Sequence, residues 1–173
     1  MSESDSFSES DEESNNKEGP DSGPSRHSAQ TPRNQAMNWL ARREYSRAEL
    51  RSRLATKDYE TDEIEAAIAG LVSDGLVSDE RFAESFIAVR MRKGQGPVRI
   101  RLELEQRGVD PDTIRTHLED VTLDWHSLAR EVRERKFGLA QPLEFKEKAR
   151  QMRFLEYRGF SGEHIRTAMH EDD

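Results

Sequence analysis

The stretch RMRKGQGPVRIRLELEQRGVD, residues 90 to 110, places two closely spaced glycines, Gly94 and Gly96, among six basic side chains. These residue types occur in phosphate-binding loops, where successive backbone amides surround the phosphate and a lysine neutralises its charge. Such a loop follows a strand and ends in Gly-Lys-Ser or Gly-Lys-Thr, and this stretch has neither feature. Pro97 also removes an amide donor. The glycines therefore predict a turn between two helices and not a nucleotide site.

Other kinds of chemistry have little support in the sequence. The chain has no cysteine, which excludes disulfides, thiol nucleophiles and thiolate metal sites. Its five histidines lack the spacing of a zinc site, and no local arrangement would activate a serine. The many carboxylates are distributed over charged helical segments, as solvated residues are. We predict a protein that is not an enzyme and that binds no metal or other cofactor.

Basic residues are concentrated in three windows. Residues 42–57 and 90–107 each hold six bases against two acids, and residues 146–158 hold five against two. The chain as a whole carries −8, but residues 1 to 35 contribute −5 of this, with eight acids against three bases, and leave −3 for the rest. The windows predict a basic stripe that meets phosphates or a carboxylate-rich partner. The alternative is a merely solvated helix face.

The elements that must position these cations are helices. Ser46 and Glu49 form a capping box, while Asp110-Pro111 and Gly96-Pro97 mark two further helix starts. Gly108 and Gly159 stand where helices should end in the left-handed conformation. No strand-like alternation occurs after residue 35. The pattern predicts nine helices at 35–44, 46–57, 61–74, 79–93, 97–107, 111–120, 124–137, 143–158 and 162–170.

Self-similarity groups the nine helices into three copies of three. Leu54, Tyr59, Ile64 and Ile68 are followed 50 residues later by Leu104, Val109, Ile114 and Leu118, and 51 residues after that by Leu155, Phe160, Ile165 and Met169. Units this small must stack to bury a core. The prediction is an all-α fold of three tandem three-helix repeats, at 35–77, 78–121 and 122–173, which form an elongated curved rod.

Residues 1–34 are predicted to be a disordered, acidic, Ser-rich tail, because their apolar content is too low to offset the entropy of ordering. Two interpretations of this tail remain open: a solvating extension, or an acidic mimic that competes for a basic partner surface. The apolar runs of the chain are far shorter than the roughly 20 residues that span a bilayer, and no signal peptide is evident. We therefore expect a cytoplasmic protein without a membrane partner.

Three blocks of the sequence resemble the RecX family of bacterial regulators: MNWLARREYSRAELRSRLATKDY, DERFAESFIAVRMRKGQGPVRIRLELEQRGV and RFLEYRGFSGEHI. The middle block is the most specific, because RFA from Arg81 followed by KGQGP from Lys93 and then Ile100 is similar to the central signature of that family. The resemblance implies a non-enzymatic protein of tandem three-helix repeats that binds the RecA recombinase filament. It also implies inhibition of the filament and weaker contact with single- and double-stranded DNA. We expect a monomer.

The resemblance and the basic windows together give thirteen candidate contacts to RecA or DNA: Arg42, Arg43, Arg47, Arg51, Arg90, Arg92, Lys93, Arg99, Arg101, Arg107, Lys148, Arg153 and Arg158. The alternative function is a helix-turn-helix DNA-binding module that acts on nucleic acid directly. One departure from the repeat pattern stands out: Asp58 occupies the position that is glycine in the other two copies. A left-handed conformation there would be strained.

Overall fold

The computed structural model describes residues 30–170, and within that range it contains nine α-helices and no strand. The helices are α1 (Pro32–Leu40), α2 (Arg47–Ala55), α3 (Thr61–Ser73), α4 (Asp79–Arg92), α5 (Pro97–Gln106), α6 (Pro111–Leu118), α7 (Trp125–Phe137), α8 (Phe145–Arg158) and α9 (Gly162–Ala168). The main helix-to-helix packing lies within α1–α3, within α4–α6 and within α7–α9, which are the first, second and third repeats. The predicted fold of three tandem three-helix repeats is confirmed.

Each repeat has its own apolar core. Of the twelve positions in the repeated pattern, eleven are buried and Tyr59 is half-buried. Leu54, Leu104 and Leu155 are completely buried at equivalent points of the three middle helices. A leucine buried in this way contributes roughly 1.5–3 kcal/mol relative to an exposed one. The spacing of apolar residues therefore specifies the three cores.

The predicted capping box at Ser46, the helix start at Asp110-Pro111 and the left-handed stops at Gly108 and Gly159 are also confirmed. The Ser46 hydroxyl accepts a hydrogen bond from the Glu49 N–H at 3.0 Å, and the Glu49 carboxylate accepts one from the Ser46 N–H at 3.3 Å. Gly108 and Gly159 have φ of +72° and +92°, which are left-handed values. At the start of α6, hydrogen bonds from Thr113 lower the pKa of Asp110. Such caps satisfy backbone groups that a helix end leaves without partners.

The first helix begins earlier than predicted. It was expected at 35–44, but α1 runs from Pro32 to Leu40. Thr31 caps it by accepting a hydrogen bond from the Asn34 N–H at 3.2 Å, and Pro32 takes the first helical position, where a missing N–H costs nothing. Residues 32–34 therefore belong to the first repeat and not to the predicted tail. The remainder of that predicted tail, residues 1–29, lies outside the described residues.

The middle helices of successive repeats meet end to end. At the first junction, the Ser46 hydroxyl at the start of α2 donates to the Arg107 carbonyl at the end of α5, at 2.6 Å. At the second junction, the Gly96 N–H at the start of α5 donates to the Arg158 carbonyl at the end of α8, at 2.9 Å, and the Val98 N–H donates to the Gly159 carbonyl at 3.0 Å. The last turn of each later middle helix thus supplies acceptors to the first turn of the preceding one.

Glycine is required at these junctions for two reasons. Gly108 and Gly159 adopt left-handed φ values, which a side chain disfavours. In addition, a Cβ atom on Gly108 would overlap the Cβ of Ala48, and one on Gly159 would overlap the Cβ of Arg99. The second reason is a contact between repeats. The spacing of residues along the sequence does not reveal such a contact.

A longer connection, residues 138–144, joins α7 to α8 in the third repeat. Arg133, which is only 1% exposed, donates to the carbonyls of Leu139 and Ala140 at 3.2 and 3.3 Å. It also donates to the side chain of Gln151 on α8, at 3.4 Å. Because a buried guanidinium needs hydrogen-bond acceptors, it holds this connection against the repeat.

Two histidine rings pack edge to face in the third repeat. From their environment we expect the stability of this repeat to depend on pH. The His126 and His164 ring centroids are 4.8 Å apart, and burial and then the neighbouring His126 lower the pKa of His164. The Nδ1 atom of His164 also accepts the Ser161 N–H in a capping box. Protonation opposes both arrangements. The unfolded chain should therefore take up the proton first, and stability should fall as the pH drops below about 6.5.

Urea denaturation at pH 7.5 and pH 5.5 tests this expectation. The midpoint should decrease at the lower pH in the wild-type protein. His164→Gln is the matched control, because glutamine at this position retains a capping side chain and does not titrate. An equal decrease in both proteins would show that other groups cause the pH dependence.

Candidate functional site

Clefts with basic linings lie at both junctions between repeats. The first cleft, between the first and second repeats, has a volume of about 380 Å³. Its lining is Arg43, Glu44, Glu49, Phe82, Ser85, Phe86, Val89, Arg90, Lys93 and Arg107. The second cleft, between the second and third repeats, has a volume of about 130 Å³. Its lining is Lys93, Gly94, Val132, Arg135, Lys136, Phe154 and Arg158.

An aromatic ring organises the cations of the first cleft. The guanidinium carbons of Arg90 and Arg107 lie 4.6 and 4.7 Å from the centroid of Phe86. A cation at this distance is attracted by the negative face of the ring. Phe86 therefore holds two arginines, one from α4 and one from the end of α5, on the same side of the junction.

Carboxylates neutralise part of this charge. Glu49 lies 3.3 Å from Arg43 and 3.6 Å from Arg107, and Glu103 lies 2.7 Å from Arg90. Lys93 has no carboxylate partner among residues 30–170. The arginines of the first cleft are therefore paired with carboxylates, which neutralise part of their charge. Lys93 in the same cleft is not paired in this way.

The second cleft is more strongly basic. Lys93, Arg135, Lys136 and Arg158 line it, and no carboxylate of the described chain does. Arg158 lies 5.2 Å from the centroid of Phe154 and donates to the Lys93 carbonyl at 3.1 Å. This combination of cations, an aromatic ring and no acid suits an anion such as a phosphate or the carboxylate of a partner.

The structure brings five of the thirteen predicted residues together in the clefts, namely Arg43, Arg90, Lys93, Arg107 and Arg158. Three others are held by carboxylates outside the clefts: Arg47 by Asp79, Arg51 by Glu65, and Arg99 by Glu103. The hydrogen bond from Arg99 to Glu103 raises the pKa of this arginine. The remaining five, Arg42, Arg92, Arg101, Lys148 and Arg153, line neither cleft.

The sequence interpretation missed two cations of the second cleft. Arg135 and Lys136 lie in the last turn of α7, outside the three basic windows. Basic residues in that position are also typical of the charge preference of a helix C-terminus, so the sequence alone gives them no special status. Phe86 and Phe154, to which the sequence alone gives no role in a site, are each only partly buried and lie beneath an arginine.

Comparison with known protein families covers all three repeats. The model of the first three-helix domain of RecX matches residues 33–71, that of the second matches residues 78–118, and that of the third matches residues 124–169. The chain belongs to the RecX family. The predicted resemblance is confirmed.

Similar proteins support the same conclusion. A regulatory protein RecX from Halorhodospira halophila is 43% identical over 136 residues, which cover 79% of this chain and 84% of that protein. One from Chromohalobacter salexigens is 45% identical over 139 residues, which cover 80% and 91% of the two chains. The crystal structure of RecX from Lactobacillus salivarius has a TM-score of 0.68 at 23% identity, over 79% of this chain and 91% of that one. That likeness shows the shared fold.

The RecX family comprises regulatory proteins, and the clefts of this member suit binding more than catalysis. Among residues 30–170, no three histidine, aspartate or glutamate side chains come together as ligands for a metal ion. None of the helices between residues 32 and 168 has the length and apolar character needed to cross a bilayer. The most distinctive chemistry of the described chain is therefore the pair of basic clefts.

Proposed function

We propose that this RecX family member is a non-enzymatic regulator that binds the RecA-DNA filament and inhibits its ATPase, recombinase and coprotease activities. It would act in the cytoplasm, as a monomer, during DNA repair and the SOS response. The observation that carries the proposal is the second cleft, where four cations and Phe154 converge with no lining carboxylate. A filament made of protein and DNA offers both carboxylates and phosphates to such a surface.

The clefts also indicate how the regulator would make contact. They lie at two successive junctions, so one chain would offer two basic clefts to an anionic partner. A partner with regularly repeated anionic groups can occupy both at once, and the second contact then forms at a high effective concentration. A nucleoprotein filament is a partner of this kind.

The alternative function, a helix-turn-helix module acting on DNA directly, is favoured less by the charge distribution. In that mode a recognition helix enters the major groove and meets phosphates on both sides. The last helix of the first repeat, α3, instead exposes three acids: Asp62, Glu63 and Glu65. We infer that direct DNA contact is weaker and uses the clefts.

The proposal predicts inhibition of ATP hydrolysis by RecA assembled on single-stranded DNA. The measurement is a titration of this protein into preformed filaments, alongside its binding to bare single- and double-stranded DNA at several salt concentrations. We expect strong inhibition at concentrations where bare DNA is scarcely bound. Equally tight binding to bare DNA with unchanged hydrolysis would instead support the direct DNA-binding function.

A further inference from the structure

One residue of the described chain departs from ordinary backbone geometry. Asp58, at the end of α2, has a φ of +58°, and it is the only non-glycine residue among residues 30–170 with a positive φ. It occupies the repeat position of Gly108 and Gly159. A side chain in the left-handed region is strained, although aspartate is among the more tolerant residues there.

The two equivalent glycines show what this position does inside the array. Gly108, at the end of α5, lies against Ala48 of α2. Gly159, at the end of α8, lies against Arg99 of α5. In both places an added Cβ atom would overlap the Cβ of the neighbour. A residue that carries a Cβ at this position therefore cannot seat its turn on the start of another middle helix. Asp58 has such a Cβ.

The opposite end of the array is also different. The helices α2 and α5 begin seven residues before Leu54 and Leu104, whereas α8 begins ten residues before Leu155. The position that is the N-cap of α5, Gly96, is therefore Glu147 in α8, inside the helix. An additional turn, which includes the 87% exposed Phe145, precedes it. In register, this turn occupies the place where α2 and α5 receive the end of the following middle helix.

We propose that Asp58 and the additional first turn of α8 are end caps, which prevent a second copy of this chain from adding head to tail. Without them, the last turn of α2 in one copy would meet the start of α8 in another, in the manner of the two internal junctions. Such a contact joins different surfaces, so it would extend into a fibre unless its rotation closed a ring. Repeat arrays generally need altered terminal units for this reason.

The test converts the end of α2 and the start of α8 to the sequences found at the two internal junctions. Asp58→Gly removes the Cβ, and Glu147→Gly with Lys148→Pro copies the Gly96-Pro97 start of α5 into α8. The triple variant should assemble, so its weight-average mass in sedimentation velocity should rise with concentration to at least twice that of the monomer. Asp58→Gly alone should remain monomeric, because α8 keeps its additional turn.

The matched control is the triple variant with Asp58→Asn in place of Asp58→Gly. Asparagine removes the charge and tolerates the left-handed conformation, but it keeps the Cβ, so this variant should stay monomeric. Equal assembly with asparagine would refute the steric explanation. A monomeric glycine triple variant with wild-type helical circular dichroism would overturn the proposal, as would a wild-type chain that assembles.

A second measurement does not depend on the folding of the triple variant. Gly108→Asp places the cap residue at an internal junction, and Gly75→Asp places it at a left-handed position where no atom lies within 4 Å of the added Cβ. Gly108→Asp should lower the thermal unfolding midpoint much further than Gly75→Asp. Equal midpoints would show that a Cβ at this repeat position does not block stacking, and the proposal would fail.

Discussion

Replacing Gly159 by alanine is expected to lower the free energy of unfolding by about 3 kcal/mol and to loosen the third repeat from the second. The left-handed conformation costs alanine roughly 1 kcal/mol. The added Cβ also overlaps Arg99 and lies 2.8 Å from its backbone nitrogen, and overpacking of this kind costs about 1–3 kcal/mol. Relief of the overlap would lengthen the hydrogen bond from the Val98 N–H to the Gly159 carbonyl, whose N···O distance is now 3.0 Å. Urea denaturation measures the loss.

Gly75→Ala separates the two contributions. Gly75 has a φ of +69°, but a Cβ there meets nothing within 4 Å. Its replacement should cost only the conformational part, roughly 1 kcal/mol. If both variants lost the same free energy, the close approach of α8 to α5 would contribute nothing to stability, and the description of the junction would be wrong.

Reversing the charge of the second cleft is expected to weaken filament inhibition about 100-fold. The variant is Lys93→Glu, Arg135→Glu and Lys136→Glu, three exposed side chains that line this cleft. A charge-assisted contact contributes on the order of 1 kcal/mol or more, so three lost contacts amount to about two powers of ten. The inhibition constant for ATP hydrolysis on preformed filaments, measured at several salt concentrations, gives both the loss and its dependence on salt.

The matched control reverses three exposed cations that line neither cleft, Lys57→Glu, Lys146→Glu and Arg166→Glu. It has the same net charge as the cleft variant. A general electrostatic effect would weaken inhibition equally in both variants. If the second cleft is the binding site, only the cleft variant loses inhibition. Unchanged inhibition by the cleft variant would remove this cleft from the interface.

Much of the fold follows from local rules that operate within one repeat. The capping box at Ser46, the proline start at Gly96-Pro97 and the left-handed stops at Gly108 and Gly159 each depend on residues a few positions apart. Local chemistry of this kind can be seen in a sequence. The start of α1 was missed for a compositional reason, since Thr31-Pro32 adjoins a polar, Ser-rich segment that obscures an ordinary helix start.

The site was less predictable because it is made between repeats. Lys93 and Arg158 are 65 positions apart, and their proximity depends on how α8 meets α5. Charge windows identified the middle helices correctly as basic, but they could not separate Arg51, which Glu65 holds, from Arg158, which faces a cleft. Arg135 and Lys136 lay outside every window. Long-range packing decides these outcomes.

Lys93 is shared by the linings of the two clefts. Its ammonium group has no carboxylate partner within residues 30–170. One ammonium group cannot face two anions at full strength, so an anion bound in one cleft reduces the attraction available in the other. If both clefts bind anions, we expect occupancy by separate small anions to be anticooperative, with the same coupling free energy in either order of binding. A single polyanion that spans both clefts, with one charged group placed to share this lysine, avoids that penalty.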